Sequence, residues 1–111
     1  MSVSDADVAA ALELFEGLGP LTTRKMMGGL CLYRDGTIFA LLKSDGQLFL
    51  KATTPATIAR LEDMDAEQWI EARKGADTPS AMPYWTLPDE ALDDADLACD
   101  LARATLRDLG A

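Results

Sequence analysis

A glycine pair, Gly28-Gly29, follows two cations, Arg24 and Lys25, and this combination of residue types could bind a phosphate. A phosphate-binding loop, however, follows a strand and opens a helix, where backbone amides converge on the anion. Here the glycines precede an apolar run that is typical of a strand, and neither G-x-x-x-x-G-K nor G-x-G-x-x-G occurs. We therefore predict that the glycines allow a tight bend or close packing. We expect the two cations to be solvated. The alternative is that they bind a carboxylate or a phosphate.

The chain contains no histidine. This absence excludes Ser-His-Asp and Cys-His catalysis, the common zinc sites and the usual general base near neutral pH. The two cysteines, Cys31 and Cys99, have neither metal nor redox spacing and no basic neighbour in sequence. We therefore predict buried thiols in a reducing, cytoplasmic setting. We expect no enzyme activity, no metal and no cofactor.

Two further stretches invite a chemical interpretation. The acidic stretch D-E-A-L-D-D-A-D-L-A-C-D lacks the ligand spacing of an EF-hand and has leucines at helical intervals. It therefore predicts an acidic helix start rather than a cation site. The P-Y-W stretch at 83–85 could stack nucleobases, but its surroundings are not basic, so packing of these aromatic residues in the core is the preferred interpretation.

Charge is distributed unevenly along the chain. With 19 acidic and 10 basic residues the net charge is −9, which disfavours direct binding to nucleic acid because basic surface supplies most of that affinity. The stretch 24–51 nevertheless carries five basic residues against two acidic ones, whereas 88–111 carries seven acidic residues against two basic ones. We interpret these stretches as two solvated faces; the alternative is an acidic helix that meets a basic protein partner.

A chain of 111 residues, 49% apolar and 26% charged, is expected to form a single globular domain over residues 1–111. No apolar run reaches the ~18 residues that would span a bilayer, and the acidic N-terminal stretch lacks the charge of a secretory signal. We therefore expect a cytoplasmic protein without a membrane segment. Ser4 predicts the N-cap of a first helix, which Gly17 ends.

Two D-G pairs, at 35–36 and 45–46, each predict a two-residue hairpin turn. The predicted strands are 29–34, 37–44 and 47–52. Two-residue loops would pair Leu32 with Phe39, Leu30 with Leu41, and Leu41 with Leu50, on a face that a helix covers. The opposite face is too apolar to be wholly solvated. It would carry Cys31, Tyr33, Ile38, Ala40, Leu42 and Phe49.

The rest of the chain predicts two more helices and two more strands. The predicted helices are 55–63 and 94–109, and the predicted strands are 68–73 and 81–87. Thr54 and Pro55 are typical of a helix start, and Pro83 favours an edge strand, where a missing amide breaks no ladder bond. Strands and helices do not alternate, so we predict an α+β fold: a two-layer α-β(3)-α-β(2)-α sandwich with an antiparallel sheet.

The stretch R-K-M-M-G-G-L-C-L-Y-R-D-G-T-I-F-A-L-L-K and the later M-P-Y-W-T-L-P-D-E-A-L-D-D resemble the N-terminal domain of the TfoX (Sxy) proteins. Those proteins regulate natural competence for DNA transformation in bacteria. The resemblance spans about residues 18–106. Met27 and Phe49 replace a family Phe and Tyr, and both keep an apolar side chain. The structural motif residues are Gly28, Gly29, Asp35, Gly36, Tyr84 and Pro88.

The resemblance implies a secretion-chaperone-like fold with no catalytic residues and no cofactor. A full competence regulator resembles this domain followed by a C-terminal helical domain, and this chain ends at Ala111, so we expect the stand-alone form. The resulting hypothesis is a non-enzymatic module that regulates transcription in competence through contact with a protein partner or a second copy in a homodimer. The predicted partner-contact residues are Tyr33, Ile38, Leu42, Phe49, Arg24 and Lys25. The alternative is a chaperone-like carrier that binds a partner polypeptide on its sheet.

Overall fold

The computed structural model describes residues 3–26, 28–71 and 80–110. The helices are α1 (Asp5–Leu14), α2 (Pro55–Asp63), α3 (Asp89–Leu92) and α4 (Ala95–Asp108), with a 3₁₀ turn at Glu16–Leu18. The strands are β1 (Thr22–Met26), β2 (Gly29–Arg34), β3 (Thr37–Leu42), β4 (Leu48–Lys51), β5 (Gln68–Glu71) and β6 (Ser80–Thr86). Of the predicted strand 68–73, the last two residues lie outside the described part of the chain.

The strands form one antiparallel sheet in the order β1-β2-β3-β4-β6-β5. With its helices this sheet confirms the predicted α+β class. Helices α1 and α2 begin at the predicted capping residues Ser4 and Thr54, and Asp94 caps α4. Each of the three side chains accepts a hydrogen bond from the backbone amide three residues later. Within the described residues no helix is both long and apolar enough to cross a membrane.

Strand β1 was not predicted, and its presence turns the expected three-stranded meander into four strands. Its sequence, T-T-R-K-M, has none of the apolar alternation that indicates a strand, and all five residues are exposed at the sheet edge. The strand forms through its pairing with β2, which runs over five residue pairs from Met26–Gly29 to Thr22–Tyr33. The glycine pair thus lies in a hairpin rather than at the start of the first strand.

The predicted register between β2, β3 and β4 is wrong by one residue. Leu30 pairs with Leu42 instead of Leu41, because Phe39 is an extra residue that bulges out of the β2–β3 ladder. Leu41 pairs with Phe49 instead of Leu50, because the β3–β4 loop has three residues rather than two. In that loop the Gly46 amide donates to the Lys43 carbonyl over 2.9 Å, and Gly46 has a φ of 90°.

Strand β6, which contains Pro83, was predicted at a sheet edge but lies between β4 and β5. The sheet tolerates the proline because Pro83 sits in a bulge: Gln68 pairs with Trp85 and Ile70 with Ala81, so β6 has two more residues than β5 in this interval. The Gln68 side-chain amide donates to the Met82 carbonyl over 2.9 Å within the same bulge.

The main core lies between the helices and one face of the sheet. All four helices contribute to it, and at its centre Phe15 of the α1 C-cap packs edge-on against Phe39 with ring centroids 5.3 Å apart. Helix α4 is fixed to the sheet by the Thr105 hydroxyl, which donates to the Lys51 carbonyl over 2.8 Å. The helices therefore cover one sheet face, and among the described residues the apolar cluster on the other face is formed by strands.

Candidate functional site: the open sheet face

The sheet face opposite the helices carries a second apolar cluster, which we call the open face. Its buried members are Cys31, Leu41, Phe49 and Tyr84, and its partly buried members are Tyr33, Ile38, Trp69 and Met82. All eight come from strands β2–β6, and no helical residue of the described chain joins them. A one-sided antiparallel sheet normally presents polar side chains on its outer face. The open face therefore departs from a solvated sheet surface and is the candidate functional site.

Aromatic rings and one lysine form the centre of the open face. The Trp69 ring lies 5.5 Å from that of Phe49 and 6.3 Å from that of Tyr84, measured between centroids. The Lys43 ammonium lies 5.2 Å from the Trp69 centroid and 5.6 Å from that of Phe49, which is cation–π distance. The Lys43 backbone is held by the β3–β4 turn, where its amide donates to the Gln47 carbonyl over 2.9 Å.

A groove of about 770 Å³ opens on this face, a size typical of binding sites for small molecules or side chains. Its apolar lining includes Met26, Cys31, Leu41, Trp69, Met82 and Tyr84. Lys43 and Glu71 contribute the charged groups of the lining. Two methionines in the lining are a feature of adaptable binding surfaces, because the unbranched thioether can repack around different shapes.

Two ionisable groups on the open face are held in their neutral forms. Burial raises the pKa of the Cys31 thiol above its ordinary value of 9.0, against the opposing effects of a hydrogen bond from Tyr33 and the positive charge of Arg24. Burial also raises the pKa of Tyr84 above 10.0, with smaller contributions from Cys31 and Tyr33. A thiol with a raised pKa is a poor nucleophile near neutral pH, so this arrangement does not support cysteine catalysis.

Most of the described charges on the open face are opposite in sign to the net charge of the chain. Arg24 pairs with Cys31, and Lys51 pairs with Tyr84, so both cations lie on the same face as these partners. Lys43 is the third cation. Among the described residues that line the groove, Glu71 is the acidic one. A protein of net charge −9 thus carries a locally cationic apolar surface.

The structure places most, but not all, of the predicted partner-contact residues on the open face. Tyr33, Ile38 and Phe49 belong to its apolar cluster. The predicted face of Leu42 is wrong: its side chain is 2% exposed in the main core, because the Phe39 bulge reverses the facing of every later residue of β3. The predicted facing of Ala40 is wrong for the same reason.

The two cations before the glycines diverge. Arg24 lies on the open face, whereas Lys25 pairs with Leu30 and therefore faces the helical side at the sheet edge. Both are exposed. The two residues are adjacent in sequence, but a strand directs neighbouring side chains to opposite faces of the sheet. Arg24 and Lys25 therefore cannot bind one ligand together.

The glycine pair serves the backbone geometry of the β1–β2 hairpin. Gly28 has a φ of 84°, which a residue with a Cβ rarely adopts, and its carbonyl accepts a hydrogen bond from the Val3 amide over 2.7 Å. A Cβ on Gly29 would lie 2.6 Å from the Leu42 carbonyl oxygen. These contacts support the predicted bend and close packing.

The other motif residues also have structural positions. Asp35 and Gly36 both have positive φ, 51° and 80°, which matches the predicted hairpin turn. Tyr84 lies on the open face, and Pro88 is the buried N-cap of α3. In the described part of the chain no group of three or more acidic or thiol side chains is arranged to hold a metal ion.

Several residues of the open face were missed by sequence reasoning. Leu41 was assigned to the wrong face. Trp69, Met82 and Met26 lie on three different strands, and only the fold brings them together. Lys43 was predicted within a strand, and nothing in the sequence around it indicated its contacts with aromatic rings. A usable signal was the alternation of Trp69 with Glu71 in β5, which predicts a shared face for the two side chains.

A family model described as the TfoX N-terminal domain matches residues 13–109. The chain belongs to this family. No curated protein matches the chain.

Proposed function

We propose that this protein is a non-enzymatic regulatory module of the TfoX type, which acts by binding a protein partner on its open face. Membership of the family supports a module of this kind. The observation that carries the proposal is the open face itself, a methionine- and aromatic-lined groove on a sheet surface that no helix of the described chain covers. Surfaces of this composition are characteristic of protein contacts.

The experiment compares two charge substitutions at matched exposure. Met26 is 51% exposed at the open face, and Leu92 is 48% exposed on α3, on the helical side. Both Met26→Glu and Leu92→Glu introduce one negative charge at an exposed apolar position, so neither is expected to unfold the protein. Each tagged variant replaces the chromosomal copy in the source cells, and both bound proteins and transcript levels are measured.

We expect Met26→Glu to lose a defined partner and to change the transcripts that depend on the protein, whereas Leu92→Glu behaves like the wild type. The proposal would be refuted if the folded Met26→Glu variant kept the same partners and the same transcript profile. Light scattering of the purified protein reports whether the partner is a second copy.

A chaperone-like carrier is the second candidate, favoured by the length of the groove across several strands. Its lining runs from Met26 on β1 to Glu71 on β5, which would suit an extended polypeptide. This function predicts that the protein keeps an unfolded client soluble in a refolding assay, and that Met26→Glu abolishes this effect. A regulatory module predicts no protection of clients.

A further inference from the structure

The charge pattern of the open face specifies the chemistry of its occupant. This inference rests on the proposed function, because it assumes that a partner binds the open face. Arg24, Lys43 and Lys51 lie on this face, with Glu71 as the acidic residue that lines the groove in the described part of the chain. An occupant with negative charge beside apolar side chains complements both properties of the surface.

Lys43 is the cation best placed to select such an occupant. Its ammonium lies over the Trp69 and Phe49 rings, at the groove, and its backbone is fixed by the turn. No carboxylate among the described residues lies within ion-pair distance of this ammonium. By contrast, the Arg34 guanidinium already pairs with the Asp35 carboxylate and donates to the Leu18 carbonyl over 2.7 Å.

Charge also argues against two other occupants. A two-fold dimer through the open face would gather the three cations of each copy into one interface, and an excess of like charge at an interface is costly. Nucleic acid would meet a chain of net charge −9. It would also find no free stacking surface on Phe49 or Tyr84, which are 4% and 7% exposed.

We propose that the open face binds an acidic segment of another protein, with an apolar side chain of that segment in the groove and a neighbouring carboxylate on the Lys43 ammonium. The methionines adapt the groove to the apolar side chain. The ammonium donates hydrogen bonds to the carboxylate while the aromatic rings hold the lysine stem in place. Lys51 and Arg24 extend the attraction to further acids along the segment.

The test selects peptides from a phage-displayed random library on the immobilised full chain. Selections are run in parallel on the wild type, on Lys43→Gln, on Lys43→Arg and on Arg107→Gln. Arg107 is exposed on α4, in the helical layer, so its variant makes the same change in net charge away from the open face. Thermal melts establish that each variant is folded.

We expect the wild type and Arg107→Gln to enrich peptides in which aspartate or glutamate adjoins a large apolar residue. A synthetic copy of the most enriched peptide should bind Lys43→Gln about tenfold more weakly, as expected when a charge-assisted hydrogen bond is lost. Lys43→Arg should retain most of the affinity. Neutral or basic consensus peptides, no enrichment at all, or an unchanged affinity of Lys43→Gln would overturn the inference.

Two further measurements test the two other occupants, nucleic acid and a second copy of the chain. Tighter binding of a fluorescent oligodeoxythymidine than of the acidic peptide, or a dimer in light scattering that Met26→Glu abolishes, would each contradict the acidic-segment proposal. The proposed function has its own criterion, the loss of a cellular partner in Met26→Glu. A partner that is lost in Met26→Glu but kept in Lys43→Gln would preserve the function and refute only the chemistry assigned to the partner.

Discussion

Replacing Gly29 with alanine should destabilise the protein through a backbone clash rather than through an unfavourable φ. The added Cβ would lie 2.6 Å from the Leu42 carbonyl oxygen, whereas ordinary contacts begin at 3.4 Å, so the β2 and β3 backbones must separate locally by about 0.8 Å. Both partners are backbone atoms in a paired ladder, so no side-chain rotation relieves the contact. Overpacking of this kind typically costs about 1–3 kcal/mol.

Gly36 provides a matched control in the neighbouring hairpin. It has a φ of 80°, and a Cβ there would meet nothing within 4 Å, so Gly36→Ala loses stability only through its backbone conformation, by roughly 1–2 kcal/mol. Asparagine tolerates this conformation better than alanine. We therefore expect Gly36→Asn to be milder than Gly36→Ala, whereas Gly29→Asn should be at least as harmful as Gly29→Ala.

The assay is urea denaturation followed by tryptophan fluorescence, since the chain has two tryptophans, both in the sheet. With an m-value of about 1–3 kcal/mol per molar, a loss of about 2 kcal/mol moves the midpoint by roughly 1 M. A urea midpoint of Gly29→Ala equal to that of the wild type, or a higher midpoint for Gly29→Asn than for Gly29→Ala, would refute the backbone clash. Either result would reopen a functional explanation for the glycine pair.

Two further predictions concern stability. Asp108→Ala should lower the free energy of unfolding by about 1–2 kcal/mol, because the Asp108 carboxylate accepts hydrogen bonds from the hydroxyls of Thr54 and Thr57 at the start of α2. Urea midpoints measure this loss, with Asp93→Ala as the control at an exposed aspartate. An Asp108→Ala midpoint equal to that of the control would contradict the prediction. The free energy of unfolding should fall as pH rises through about 9, because burial raises the pKa of the Cys31 thiol and the native state retains a proton that the unfolded chain releases. Urea midpoints at about pH 8 and 10 check this. Cys31→Ala should reduce the slope, with Tyr84, whose pKa burial also raises, contributing the remainder near pH 10; an unchanged slope would disprove the prediction.

Local signals in the sequence predicted most elements of the fold. Helices α2 and α4 begin at the capping residues Thr54 and Asp94, and the first D-G hairpin has the expected positive φ at both turn residues. These features depend on neighbours a few residues away, so the sequence displays them directly. Strand β1 lacks such a signal, because its stability comes from pairing with β2 and its side chains remain exposed.

The site was harder to predict than the fold. Its aromatic centre joins Phe49 on β4 to Trp69 on β5 and Tyr84 on β6, and the contact between these strands depends on β6 lying inside the sheet. The sequence indicated the opposite, since Pro83 is typical of an edge. Proline has no N–H to donate to a ladder, and the bulge at Pro83 makes that donor unnecessary. Such a bulge depends on tertiary structure, so no local sequence pattern predicts it.

The outcome for Phe49 shows how two local irregularities can cancel. The Phe39 bulge adds a residue to β3 and reverses the facing of Leu41 and Leu42. The three-residue β3–β4 loop then adds one more residue than the predicted turn, which restores the original parity in β4. Phe49 consequently lies on the open face as predicted, although both pairings that led to this assignment were wrong.

The same pair of irregularities determines which cation serves the open face. Because the β3–β4 loop begins after Lys43 and pairs this residue with Gln47, the lysine leaves the end of β3 directly above the Phe49 and Trp69 rings. The predicted two-residue loop would place Ser44 opposite Gln47 instead, with Lys43 one position farther from the turn. The chemistry proposed for the partner therefore depends on both irregularities, since the Phe39 bulge turns Lys43 to the open face and the loop length places it at the turn, opposite Gln47.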